Sequence, residues 1–409
     1  MSEWVHLVES LEPRTLFAAA PTILFIRGAA GSGGFLEADV STRNQQLADI
    51  NDTSTAANNT GWATLAQTLR DAGFNVVQLI EPKGAKAPVG NFNAGKPIPF
   101  EKYDLSRYAA IVFGSNNAQY PKASVDAVEK YIKNGGGALF IADANFGSDW
   151  QDAANSDQAF LNRFGLIQNQ DFGTYPLTRA GGDFVSPNHP VLSGVNSFDG
   201  EGVNPVSVPK KAPAGVKIVQ VVKTQDRTRE NNGGGHPSRL YKGGIRPAVA
   251  SDSAVVLANA GRGRVATYFD RNTFFNANGK GTNITRFDNK QLASNLFGWV
   301  ADNKEPAVSR SAFTLSNPYN ATLYFDDNLM GSLTKKDVLL LRATDGSAVP
   351  SDRWTLSVIE NNGKTEASVW IDGLLDHGGY YILINPGKIA DEAGNLNTKR
   401  IRFDITLRD

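Results

Sequence analysis

The stretch GGGALFIADANFGSDW, residues 135–150, runs from three glycines through a short apolar strand into Ala-Asp-Ala-Asn. In open α/β sheets, the carboxyl ends of strands display the groups that bind ligands or react. Asp143 and Asn145 therefore stand where chemistry is expected. The pattern recurs three times. Arg27 closes the run TILFIR, Ser115, Asn116 and Asn117 follow AAIVFG, and Asp270, Arg271 and Asn272 follow RVATYF. If these four strand ends converge, they make a cleft suited to a polar ligand such as a sugar. The simpler alternative is that Asp and Asn at such turns cap the next helix and satisfy their own backbone.

Other residues offer chemistry singly. His189, in Pro-Asn-His-Pro, could act as a general base, a metal ligand or the acceptor that fixes a rigid turn; the turn is the simplest role. The four histidines, at 6, 189, 236 and 377, show no metal-ligand spacing. The glycine loop at 28–34 lacks a following Lys-Ser/Thr and the G-x-G-x-x-G pattern, so no nucleotide cofactor is expected. Asp391, Glu392 and Asn395, with Asp326 and Asp327, are acidic enough for calcium. Such a site needs six to eight oxygens, so a plain turn and no metal are expected. Asp288, three positions before Gln291 and an apolar helical face, reads as an N-cap.

The bulk composition narrows the classes. At 409 residues the chain is too long for one ordinary core. Lys+Arg and Asp+Glu both count 41, so no basic excess points to nucleic acid. No apolar run approaches the length of a membrane span. There is no cysteine, which excludes disulfides, thiolate metal sites and a cysteine nucleophile.

The elements follow from periodicity. Strands are expected at 22–27, 76–80, 109–113 and 138–142, with helices from Trp62 to Gly73 and from Pro121 to Gly135 between them. That alternation predicts an α/β domain with a doubly wound, mostly parallel, flavodoxin-like sheet over 21–303. Further strands are expected at 216–222, 254–258 and 264–269, and a last helix near Asp288. Residues 165–250 otherwise read as an irregular insertion. A polar linker at 304–312 leads to 313–409, where short alternating strands recur about every ten positions and predict an all-β immunoglobulin-like sandwich. Its aromatics Trp354, Trp370 and Tyr380 are expected in the core.

Four stretches fit one family. YDLSRYAAIVFGSNNAQYPKASVDAVEKYIKNGGGALFIADAN, NHPVLSGVNSFDG, GRGRVATYFDRNTFF and DNKQLASNLFGWVAD together resemble the class I glutamine-amidotransferase-like superfamily, in particular its ThuA-like, non-amidotransferase branches. LSNPYNATLYFDDNL and GKIADEAGNLN are similar to bacterial surface-layer immunoglobulin-like domains. LEPRTL at 11–16 resembles the N-terminal motif of exported planctomycete-like proteins, which sets residues 1–20 outside the fold. The resemblance implies a cysteine nucleophile where Asp143 stands and a His-x-Glu pair that is missing. It transfers a fold and not glutamine hydrolysis.

Three readings follow. The first is an exported or cell-surface protein whose non-catalytic α/β domain binds a glycan, another cell-envelope component or a protein through Arg27, Ser115, Asn116, Asn145, Arg271 and Asn272, with the sandwich as spacer. The second is a carbohydrate-active hydrolase using Asp143, His189 and Asp270 as acid–base groups. The third is a purely structural envelope protein.

Overall fold

The computed structural model describes residues 20–28, 47–53, 60–82, 96–116, 118–143, 153–169, 171–224, 250–276, 281–302, 304–314, 318–329, 331–361, 364–371, 375–391 and 395–407. Asn145, His6, His236 and nearly all of the N-terminal segment lie outside these residues.

The first half is a large mixed sheet between helices. Strands β1 (Thr22–Arg27), β2 (Asn75–Ile80), β3 (Ala110–Phe113) and β4 (Gly137–Ile141) are parallel. Helices α1 (Ala63–Asp71), α2 (Lys122–Lys133), α3 (Ala153–Leu161) and α4 (Asn289–Ala301) flank them. Two faces alternate along each strand. Ile23, Phe25, Val112, Leu139 and Ile141 join a core with α1 and α4; Leu24, Ile26, Ile111, Phe113, Ala138 and Phe140 join one with α2 and α3. That period of two explains why the strands read as continuous apolar runs: both faces are covered.

The middle region is richer than its composition suggests. It holds β5 (Ile167–Gln168), β6 (Asp171–Thr178), β7 (Ser197–Val203), β8 (Val206–Ser207) and β9 (Val216–Lys223) where the sequence indicates one strand. Helix α3 is also additional. β6 and β7 form a separate antiparallel pair. β10 (Ser253–Ala260) and β11 (Gly263–Tyr268) complete the main sheet, ordered β2-β1-β3-β4-β11-β10-β8-β5, with β9 on β10. β11 runs parallel to β4, so the parallel part has the 2-1-3-4-5 order of flavodoxin-like sheets.

The glycines that open β4 and β11 are a packing requirement. A Cβ at Gly137 would overlap the carbonyl oxygen of Val300 in α4, and one at Gly263 would overlap that of Ile132 in α2. Two helix ends thus seat directly on backbone at the amino edge of the sheet.

The C-terminal part is a two-sheet antiparallel sandwich. β12 (Val308–Thr314) begins inside the expected linker and pairs with β13 (Tyr319–Phe325). β14 (Val338–Arg342), β15 (Trp354–Asn361), β16 (Lys364–Ile371), β17 (Gly378–Ile384) and β18 (Ile401–Leu407) follow. The sheets are ordered β12-β13-β16-β15 and β14-β17-β18, and one apolar core joins them. Trp354 and Tyr380 lie in that core as expected. Trp370 does not: it is 42% exposed, because its neighbours Val369 and Ile371 take the inward positions of β16.

Candidate functional site

A flavodoxin-like sheet has its ligand crevice outside the carboxyl ends of β1 and β3, where strand order reverses. Here the Gly28 N–H donates to the Ser115 carbonyl at 3.1 Å and ties those ends together. Arg27 is buried; its Nε donates to the Leu47 carbonyl at 2.9 Å, and a terminal nitrogen lies 3.3 Å from Asp49 Oδ2. Burial lowers its pKa, and Asp49 opposes that shift. The Asn116 amide donates to Ser156 Oγ at 2.7 Å and to Asp157 Oδ1 at 2.8 Å. Ser115 Oγ and Asn116 Oδ1 are buried with no hydrogen-bond partner.

One strand along, the expected residues meet. Asp143 and Arg271 form an ion pair, Oδ2 to Nε 2.7 Å, with side chains only 4% and 2% exposed. The Arg271 N–H also donates to the Ala142 carbonyl, locking β11 to β4 beyond their last paired residues. Asp270 is fully buried and accepts from the Glu201 and Asn272 N–H groups, each at 2.8 Å. Burial, followed by the charge of Asp143, pushes its carboxyl well above the usual carboxylate range.

These groups fasten one element. β7 crosses the carboxyl edge, and almost every polar residue there holds it. The Asn272 amide donates to the Glu201 carbonyl at 3.1 Å, Thr273 Oγ1 to the Asp199 carbonyl at 2.8 Å, and Asn204 to the Asp143 carbonyl. Asp199 is buried between the Asn289 amide, 2.9 Å away, and Arg286, 3.1 Å away. Burial raises its pKa. Asp199, Glu201 and Asn204 were not singled out from the sequence. The acidic DGEG in a Gly-flanked stretch was their only signal.

His189 lies elsewhere. Its Nδ1 accepts from the Val191 N–H at 3.3 Å, the turn-fixing role, and its ring packs edge-on to Trp299 with centroids 6.0 Å apart. Trp299 is ten residues along α4 from Asn289, which touches Asp199, a rise of about 15 Å. Burial lowers the His189 pKa to about 4. Asp143 and Asp270 come together, and His189 does not join them. Asp288 also departs from expectation. Its carboxylate does not cap α4 but accepts from the Asn196 and Ser197 N–H groups at 2.8 and 3.1 Å, at the entry to β7.

Two openings lie at the amino edge. A groove of about 1140 Å³ runs along α2 to the β10–β11 turn and the 395–398 loop of the sandwich. A cavity of about 350 Å³ lies between α4, the 190–193 turn and Asp327. Arg264, buried between them, donates to the carbonyls of Trp299 and Asp302 and to Asn395 Oδ1, the last at 2.5 Å. Around it Asp302, Asp327 and Asp391 bring one carboxylate oxygen each within 4.8 Å of one another. These three are the group among the described residues that could hold a cation. Asp391 also makes the expected turn, accepting from the Asn395 N–H at 2.8 Å and its amide at 2.7 Å. Burial, then repulsion from Asp302, pushes Asp327 up to about 7 and Asp391 to about 6.

No protein-family model and no curated protein matches the chain. Among the solved structures similar to it are the following two. One is the mmIFT52 N-terminal domain, at 14% identity and TM-score 0.38, covering 68% of this chain and 96% of that one. The other is a putative ThuA-like protein from Parabacteroides merdae, at 14% identity and TM-score 0.38, covering 70% of this chain and 91% of that one. At that distance neither neighbour's function extends to this chain.

Among the described residues, no helix is long and apolar enough to cross a membrane. What the carboxyl edge can do chemically is limited by its burial. Asp143 is paired with Arg271 and Asp199 with Arg286, and Asp270 already accepts two backbone N–H groups.

Proposed function

We propose that the chain is an exported or cell-surface protein whose amidotransferase-like domain is non-catalytic and binds a polysaccharide of the cell envelope. One observation carries the non-catalytic part: Asp143, at the position a nucleophile would occupy, is buried in an ion pair with Arg271. A carboxylate held by a guanidinium is a weak nucleophile, and its ordinary pKa already suits amide cleavage poorly. The export motif and the lack of cysteine support the location. The sandwich order, first-second-fifth-fourth over third-sixth-seventh, supports an immunoglobulin-like domain, whose sheets are ABED and CFG.

A second reading has its own observation. Asp270 and Asp143 are neighbouring buried carboxyl groups, and burial together with the charge of Asp143 raises the Asp270 pKa, the kind of separation an acid–base pair uses. One experiment separates the two. The full chain is incubated with a panel of envelope polysaccharides, and both co-sedimentation and release of reducing ends are measured. Retention without release is expected. Release that disappears in Asp270→Asn would establish the hydrolase instead, and no retention by any preparation would end the binding reading.

A further inference from the structure

The amino edge of the sheet carries a groove with room for a ligand. We infer that the groove between α2, the 100–108 segment and the 395–398 loop binds an uncharged polysaccharide chain, and that the sandwich is one wall of this site and not a spacer. The inference rests on the binding reading above and locates it.

Size comes first. Compact small-molecule sites enclose roughly 300–1,000 Å³, and this groove exceeds that range at about 1140 Å³. It is long, following α2 from Ala123 to Asn134, which suits several units of a chain. Its two walls carry exposed apolar surface. Tyr103 is 43% exposed on the α/β side and Leu396 is 53% exposed on the sandwich side. Large exposed apolar side chains lining one concave surface mark a contact surface. An aromatic ring with a free hydroxyl suits the apolar face and the hydroxyl rim of a sugar ring.

Charge decides the class of chain. The lining carboxylates Glu101, Asp104, Asp126 and Glu305 are interspersed with the cations Lys130, Arg262 and Arg264. Neither sign dominates, so a polyanion or a polycation finds no complementary field. An uncharged, hydroxyl-rich chain needs none. The amides of Asn134 and Asn259 offer a donor and an acceptor each, as hydroxyl groups require, and no hydrogen bond engages either side chain.

The second domain completes the site. Asn395 is anchored by Arg264 at 2.5 Å and by Asp391 at 2.7 Å, and Thr398 is held by Glu305 at 2.6 Å. These bonds set Leu396 opposite α2. The loop resembles a spacer turn in sequence and acts as a wall in structure.

The test is affinity electrophoresis of the full chain in native gels cast with soluble neutral polysaccharides: hydroxyethylcellulose, xylan, galactomannan and laminarin. Retardation by at least one is expected, with the apparent affinity at least tenfold weaker in Tyr103→Ala and in Leu396→Ser. Arg262→Ala, on an exposed turn, gives a third variant if either fails to fold. Retardation that persists in all three but is lost in Trp370→Ala would overturn the groove while leaving the binding reading intact. Retardation by none of the four overturns the inference, whereas co-sedimentation with a charged envelope polymer in the earlier assay would still sustain binding itself.

Discussion

The two edges of the main sheet differ in a way their residue types conceal. The carboxyl edge holds Asp143, Asp270, Arg271 and Asn272, the residues with the most chemistry; the first three are buried, Asp143 and Arg271 are spent on each other, and Asp270 and Asn272 on β7. The amino edge holds glycines, an asparagine turn and a surface loop, and it carries the open groove. Reactive residue types mark a site only when a path to solvent remains. Here hydrogen bonding to a crossing strand has consumed them.

The largest test of that contrast is Arg271→Ala. It leaves Asp143 buried without its cation, so a loss of about 3–5 kcal/mol is expected in urea unfolding. A loss below about 1 kcal/mol would mean that water reaches the pair and that the edge is not sealed.

The acid group at the amino edge gives a pH signature. Asp391, raised from 3.8 to about 6, is easier to protonate in the fold than in the open chain, so it favours folding fully at low pH. Stability is then lost as pH rises from about 4 to about 6, by at most about 3 kcal/mol. Asp327 extends the loss toward 7. Melting curves across that range should flatten in Asp391→Asn. An unchanged slope would remove the carboxylate repulsion as a cause.

His189 runs the opposite way. Its folded pKa of about 4 lies below the ordinary 6.5, so the open chain takes up the proton first and stability falls as pH drops below 6.5. After allowance for partial exposure, about 1 kcal/mol is expected, lost in His189→Gln. If the pH profiles of the two proteins superimpose, the ring is solvated. The smallest effect belongs to the open surfaces. Tyr103→Ala and Trp370→Ala should each change stability by less than about 0.5 kcal/mol. A larger change would show that these rings carry packing and are not free to meet a ligand.

Much of the α/β architecture was legible because both-face burial leaves continuous apolar runs, as in TILFIR and AAIVFG. The meeting of Asp143 with Asp270 and Arg271 was left conditional in the sequence and comes from the parallel pairing of β11 with β4. β7 was not legible. SFDGEGV has two glycines and two acids, which disfavour a strand, and its shape comes from partners 69 to 90 residues away. Asp288 failed for the same reason. Its cap signature is local, and the backbone of β7 outcompetes α4 for its oxygens. Trp370 failed because an alternating strand gives two registers, and the inward one went to Val369 and Ile371.

Each half of the molecule also contains a tryptophan whose indole N–H is buried without a hydrogen-bond partner: Trp62, against Phe25 and Phe274, and Trp354, in the sandwich core. An indole in such dry surroundings emits at the blue end of its range and shifts red when water arrives. Trp62 and Trp354 thus serve as intrinsic optical reporters, one in each half of the molecule. Trp62→Phe and Trp354→Phe would each silence one, so the order in which the halves melt can be read from fluorescence colour alone.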